Sequence, residues 1–253
     1  MQPSCTSSCS GCMSIPIPNL GIDEDGISGE PLVIPVKGPY DQIPLIASNT
    51  PFPFIAPETV LKLLRCEISL PRGVTIFVID CRFHYEFAEG HIHGAQNLLT
   101  FRDMVSIFNR LRKFKKAILI FHCELTVDRS VQWAYAFREY DRYCSGMTYP
   151  ELTYPEIYLM KGGFRKLYKL AGTCDVITGN YFRKDDAFGE YGEAIVRKAK
   201  SQYENELRKA NAHSKARRGS RTPNAGRSVS QQMFLTPEKL FYFECNCQSD
   251  APR

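Results

Sequence analysis

The chain has 253 residues, a formal net charge of +5 and 43% hydrophobic side chains, enough to bury one sizeable core with tails to spare. No apolar run approaches the roughly 18–20 residues of a membrane helix, and "MQPSCTSSCSGCM" lacks the basic start and apolar centre of a signal peptide. An intracellular chain with reduced thiols is therefore expected, and its mild positive charge points only weakly to an anionic partner, because the basic residues gather toward the C-terminus.

Residues 1–50 are rich in Pro, Gly and Ser and predict an extended, partly disordered lead-in. Cys5, Cys9 and Cys12 lie there with no evident fourth ligand, so free thiols in a tail are preferred to a metal site. Pro57 in a first turn, followed by Val60, Leu61 and Leu64 on one face, predicts a helix. Val74–Asp80 is apolar and β-branched, as in a strand buried on both faces. A short helix ending at Gly90 and a short strand in "GAQNLL" follow. Met104, Ile107, Phe108 and Leu111 recur at helical spacing. Ala117–Phe121 is a second buried strand, and a helix should run from near Ser130 to about Arg142. "EIYLMKGGF" reads as strand and turn, and "FRKLYKLAG" as helix. This alternation predicts an α/β domain over residues 51–184, with a central parallel sheet and helices on both faces. A charged amphipathic helix is expected over 185–212, with Tyr191, Ile195, Ala199, Tyr203 and Leu207 as its apolar stripe. Residues 213–253 read as a basic, disordered tail containing Cys245 and Cys247. Cys66, Cys144 and Cys174 read as small core or surface residues.

Cys81 and Cys123 each follow a strand-like run, and ligand sites of parallel sheets lie at the carboxyl ends of strands. Arg129 stands six residues after Cys123, where the next helix begins. A helix N-terminus and a guanidinium both stabilise a thiolate, the reactive form of cysteine. The backbone N–H groups of Glu124, Leu125, Thr126, Val127, Asp128 and Arg129 can curl into a nest for an anion. Arg129 can add two parallel hydrogen bonds to it. Such a cradle suits a phosphate monoester attacked by sulfur. The bland alternative is a buried cysteine at a strand end beside an arginine at a helix start.

The blocks "FVIDCRFHYEFAEGHIHGAQNL", "ILIFHCELTVDR" and "YPELTYPEIYLMKGGF" closely resemble the M-phase inducer phosphatases, dual-specificity enzymes that activate cyclin-dependent kinases. The resemblance runs from near Ile55 to about Phe188. It implies a rhodanese-like three-layer sandwich that needs no metal or cofactor. It also implies removal of phosphate from neighbouring phosphothreonine and phosphotyrosine of a kinase bound to its cyclin, promoting passage from G2 into mitosis. Cys123 matches the family's nucleophile, Arg129 its phosphate-binding arginine and Cys81 its redox-resolving cysteine. Asp80, Arg82 and His122 match supporting positions, and Glu86, Glu89 and His91 the rest of that element. The family loop usually reads H-C-E-F-S-S-E-R-G-P; here Leu125, Thr126, Val127 and Asp128 replace F-S-S-E, and Ser130-Val131 replace G-P. With side chains turned outward and N–H groups inward, the cradle should survive these changes. The chain is expected to lack the long regulatory N-terminus of animal members.

Sulfurtransferases and arsenate reductases share this fold, and a catalytically silent binding module is a third reading; the loop length favours phosphatase chemistry. The general acid is left open between Glu124, Asp128 and a group on the substrate. Arg197, Lys198 and Lys200 match a region that docks the kinase far from the active site, although a solvated helix face fits them equally. Thr222-Pro223 and Thr236-Pro237 fit a minimal proline-directed kinase site, and "KARRGSR" a nuclear import signal. A monomer of nucleus and cytoplasm that binds neither nucleic acid nor membrane is expected.

Overall fold

The computed structural model describes residues 35–36, 38–171, 176–184, 189–218 and 243–244. Most of the expected lead-in and basic tail lies outside these residues. So do Cys5, Cys9, Cys12, Cys174, Cys245 and Cys247, together with both Thr-Pro dipeptides. Among the described residues, no helix is long and apolar enough to cross a membrane.

Three two-residue strands come first, β1 (Pro35–Val36), β2 (Leu45–Ile46) and β3 (Phe54–Ile55). Then follow α1 (Pro57–Leu64), β4 (Val74–Asp80), α2 (His84–Glu89), β5 (Gly90–Ile92), β6 (Gln96–Asn97), α3 (Phe101–Leu111) and β7 (Lys116–His122). The chain continues through α4 (Arg129–Ser145), β8 (Glu156–Met160), α5 (Gly163–Ala171), β9 (Ile177–Gly179), α6 (Gly189–Arg218) and β10 (Phe243–Glu244).

The main sheet runs β1-β2-β3-β8-β7-β4-β10, with β6 beside the end of β4. Its centre, β3-β8-β7-β4-β6, is parallel as expected. Its flanks, β1-β2-β3 and β4-β10, are antiparallel, which the alternating pattern did not reveal. A further antiparallel pair joins β5 to β9. The ordered domain also begins before residue 51: Ile43 and Leu45 are buried, so the short apolar fragments of the lead-in extend the core. At the other end α6 continues past Ala212 into the basic stretch, since Ala, Lys and Arg are good helix formers.

Successive strand residues point to opposite faces, and here both faces are covered. Ile76, Val78, Ile118, Ile120 and Met160 meet Val60, Leu63 and Leu64 of α1 and Phe164 and Leu167 of α5. Phe77, Ile79, Leu119, Phe121 and Leu159 meet Phe108 of α3, Trp133 and Phe137 of α4 and Ala210 of α6. Tyr203 and Leu207, from the expected stripe of α6, pack against the same layer. The result is a three-layer sandwich whose parallel strands all end at one edge.

Candidate active site

That edge assembles the site. β4 and β7 pair in register with Asp80 opposite His122, so Cys81 and Cys123 leave the sheet side by side. The Cys81 N–H donates to the His122 carbonyl at 2.8 Å. Both cysteines are buried and unbridged.

From Cys123 the chain turns back over its own sulfur. Thr126 adopts a left-handed conformation, φ 59°, and its N–H donates to Cys123 Sγ at 3.2 Å. The Ser130 hydroxyl donates to the same sulfur at 3.5 Å. The loop's first two carbonyls are held outside the cradle by the start of α5: Phe164 N–H reaches the Cys123 oxygen at 2.9 Å, and Arg165 N–H the Glu124 oxygen at 3.1 Å. With those carbonyls fixed outward, the amides are free to face an anion. This contact requires Gly163, whose φ is +61° and whose hypothetical Cβ would lie 2.3 Å from the Glu124 oxygen. Leu125 and Val127 point to solvent as expected, but Thr126 does not. The sharp turn tucks its side chain under the loop, where its hydroxyl has no partner among the described residues.

Arg129 opens α4 and extends back to α2. Both of its terminal nitrogens donate to the carboxylate of Glu86, a fully buried residue that also accepts the Phe83 N–H at 2.9 Å. The guanidinium lies 4.5 Å from the Phe83 ring centroid. Burial opposes its charge, but Glu86, with Cys123 and Asp80 nearby, outweighs burial and holds Arg129 protonated, above its ordinary value. The sequence motif contained Glu86 without disclosing this clamp.

Asp80, Arg82 and His122 form the buried support beneath. Arg82 contacts both Asp80 oxygens, at 2.7–3.1 Å, and the Gly90 carbonyl at 2.7 Å. Its guanidinium stacks 3.8 Å above Phe164. Burial alone would raise the Asp80 pKa, yet Arg82 and His122 bring it below the usual carboxylate value. Burial pushes His122 the other way, toward the neutral imidazole, despite Asp80 at 3.7 Å. The Cys81 thiol is pushed well up by burial, then by Cys123 and Asp80. Glu89 and His91 lie outside the cleft: the Glu89 carbonyl accepts the Asn180 N–H, and the His91 ring stacks on Phe87.

A cleft of about 320 Å³ opens over Cys123. Its wall includes Glu124, Asp128 and Arg129 from the loop, Phe83, and three residues the sequence did not connect with it: Lys184, Tyr203 and Glu204. Lys200 also lines it, so this basic residue is at the active site and not remote from it; Arg197 and Lys198 are exposed and outside the cleft. Glu124 accepts the Tyr181 hydroxyl at 2.7 Å, and Asp128 accepts the Gln132 side-chain amide. Tyr181 is 57 residues from Glu124, beyond any local signal. Among the described residues no three His, Cys, Asp or Glu side chains cluster as metal ligands.

Residues 61–170 match the rhodanese-like domain family. The chain is 35% identical over 137 residues to the M-phase inducer phosphatase of Dictyostelium discoideum, covering 52% of this chain and 12% of that protein. It is 40% identical over 134 residues to the M-phase inducer phosphatase of Schizosaccharomyces pombe, covering 53% and 22%. It is 38% identical over 122 residues to human M-phase inducer phosphatase 3, covering 46% and 25%. The chain thus spans a quarter or less of the length of these relatives.

Proposed function

Because the chain carries a rhodanese-like domain related in sequence to the M-phase inducer phosphatases, we propose that it is a cysteine-dependent protein phosphatase. The observation that carries the proposal is the loop from Cys123 to Arg129. A sulfur nucleophile lies at its floor, an amide already points at that sulfur, and a guanidinium clamped by Glu86 stands at the rim. Thiolate sulfur attacks phosphorus; the S–P bond forms as the P–O bond to the leaving group breaks. Water then attacks phosphorus, the S–P bond breaks, and inorganic phosphate leaves with the thiolate restored. Loop amides and Arg129 balance the charge on the transferring group. Glu124 and Asp128 are both engaged as acceptors, by Tyr181 and Gln132. In our reading they shape the cleft, and the proton for the leaving oxygen arrives with the substrate.

The substrate in this reading is phosphotyrosine and phosphothreonine of a cyclin-dependent kinase with its cyclin, and the outcome is progress from G2 into mitosis. Sequence similarity supports it, as does a shallow cleft that leaves recognition to distant contacts. Arg197 and Lys198, outside the cleft, remain the docking candidates, and Lys200 acts at the cleft itself. We place the protein, as a monomer, in nucleus and cytoplasm, with no nucleic-acid or membrane partner.

The test compares a phosphorylated kinase–cyclin complex, a small aryl phosphate, arsenate and thiosulfate side by side. Turnover of the first far above the second is expected, with neither arsenate reduction nor sulfur transfer. Cys123→Ser should abolish turnover and trap the phosphorylated kinase, since a hydroxyl does not ionise near neutral pH. Arsenate or thiosulfate turnover above phosphate turnover would replace the proposal with the corresponding chemistry.

A further inference from the structure

Tyr203 packs with the rest of the α6 stripe, but packing accounts for its ring and not for its hydroxyl. Its ring is fixed between two aromatic neighbours, Phe83 and Trp133, each with centroids 6.4 Å away and in edge-on contact. Phe83 is the ring on which Arg129 lies. Tyr203 and Arg129 thus share Phe83 as a neighbour, and Tyr203 lines the same cleft as Cys123 and Arg129. Its hydroxyl is buried and has no hydrogen-bond partner among the described residues. A buried hydroxyl without a partner has lost its water hydrogen bonds with nothing in exchange, and such groups in folded proteins call for a reason. The other buried hydroxyl without a partner near the loop, Thr126 Oγ1, is not in the cleft wall.

We infer that Tyr203 is a catalytic residue, whose hydroxyl donates a hydrogen bond to the phosphoryl group held at Cys123. This rests on the phosphatase reading above and adds to the loop a donor supplied by the C-terminal helix. Several observations support it. The cradle amides approach the group from the loop and Arg129 from the start of α4, while α6 lines the cleft with Lys200, Tyr203 and Glu204, of which the Tyr203 hydroxyl is the neutral donor held in place by its ring neighbours. A bound tetrahedral oxyanion would provide the acceptor that Tyr203 lacks. The hydroxyl is also suited to donate at all working pH values: burial, followed by Asp128, Cys81 and Cys123, raises its pKa and keeps the proton on oxygen. Lys184 and Lys200, with Arg129, offset Glu124, Asp128 and Glu204 in the same wall. One consequence is that α6 takes part in chemistry and not only in docking.

The test is Tyr203→Phe, which keeps the ring between Phe83 and Trp133 and removes only the oxygen. Losing one preorganised donor to an oxyanion costs roughly 10²–10³ in kcat in the best-studied hydrolases, and a neutral, partly redundant donor should give about a tenfold to hundredfold loss. The loss should fall on kcat for a small aryl phosphate, with KM nearly unchanged. The ratio of wild-type to variant kcat should be flat across neutral pH. Tungstate, a tetrahedral oxyanion, should bind Tyr203→Phe at least fivefold more weakly by calorimetry, a readout that requires no turnover and that ring packing alone would not move. Rates and tungstate affinity within twofold of wild type would overturn the inference and leave the phosphatase reading intact. If wild-type protein turned over no phosphate ester yet bound tungstate through Tyr203, the donor would stand and the phosphatase reading would fail. If wild type bound no oxyanion, both would fall.

Discussion

At the scale of single residues, the site works by holding charges in place with buried partners. Glu86 is the clearest case, since it pins Arg129 and caps α2 with one carboxylate. Glu124 and Asp128 are a contrast, because each is already accepting a hydrogen bond. A true general acid contributes about 10²–10⁴ in rate. We expect Glu124→Gln and Asp128→Asn each to lower kcat less than tenfold on a protein substrate; a hundredfold loss in either would identify the acid. The pair His122 and Asp80 predicts a pH response. Burial depresses the His122 pKa from 6.5, so below about pH 6.5 the unfolded chain takes up a proton that the folded chain refuses, and stability falls with pH. The depressed Asp80 carboxyl acts in the same direction, but only once pH drops below about 4, near its usual value of 3.8. Urea unfolding between about pH 7 and 5 should thus show declining stability. That decline should be shallower in His122→Gln, whatever its absolute stability. An unchanged slope would assign the decline to other groups.

At the scale of elements, the start of α5 is as much a part of the cradle as the loop itself. It takes the carbonyls of Cys123 and Glu124 and so turns the loop amides toward the cleft. Gly163 permits that contact, and Gly146 supplies a control. Gly146 also has positive φ, +46°, but a Cβ there would meet nothing within 4 Å. Alanine at a left-handed position costs about 1–2 kcal/mol. Both Gly163→Ala and Gly146→Ala should therefore lower the melting temperature by several degrees. Only Gly163→Ala should also cut turnover of a small aryl phosphate, by an order of magnitude or more, because its Cβ forces the Glu124 carbonyl aside. Equal activity in the two variants would show that the α5 contact does not shape the loop.

At the scale of the whole molecule, parallel pairing brings together residues that are distant along the chain. Cys81 and Cys123 follow register partners of adjacent strands, and both are free and buried. Peroxide converts an accessible thiolate to a sulfenic acid, which further oxidation makes irreversible. Burial holds the Cys81 proton, but once Cys123 is a neutral sulfenic acid its charge no longer adds to that hold, and the Cys81 sulfur can attack it: the S–S bond forms, the S–O bond breaks, and the departing hydroxide takes the thiol proton to leave as water. Peroxide followed by dithiothreitol should restore most activity in wild type and little in Cys81→Ser. Mass spectrometry should find Cys81 joined to Cys123 in the oxidised protein. Full recovery without Cys81 would leave it as packing under the loop.

The strands Val74–Asp80 and Ala117–Phe121, the helices between them and the pair Cys123–Arg129 were legible in the sequence alone. Each is written in local spacing: apolar runs, a 3.6-residue period, and a nucleophile and a cation at the two ends of one short loop. The antiparallel flanks were not legible, because strands as short as Leu45–Ile46 carry almost no periodicity. The partners of the site were decided only by tertiary structure: Glu86 for Arg129, Tyr181 for Glu124, and Tyr203 and Lys200 in the cleft wall. The first depends on how α2 lies against the start of α4, the others on how α6 and the segment after β9 lie across the sheet edge. On a helix each residue turns the side chain by about 100°. Lys198 and Lys200, two residues apart, can therefore face solvent and the cleft respectively, and only packing decides which.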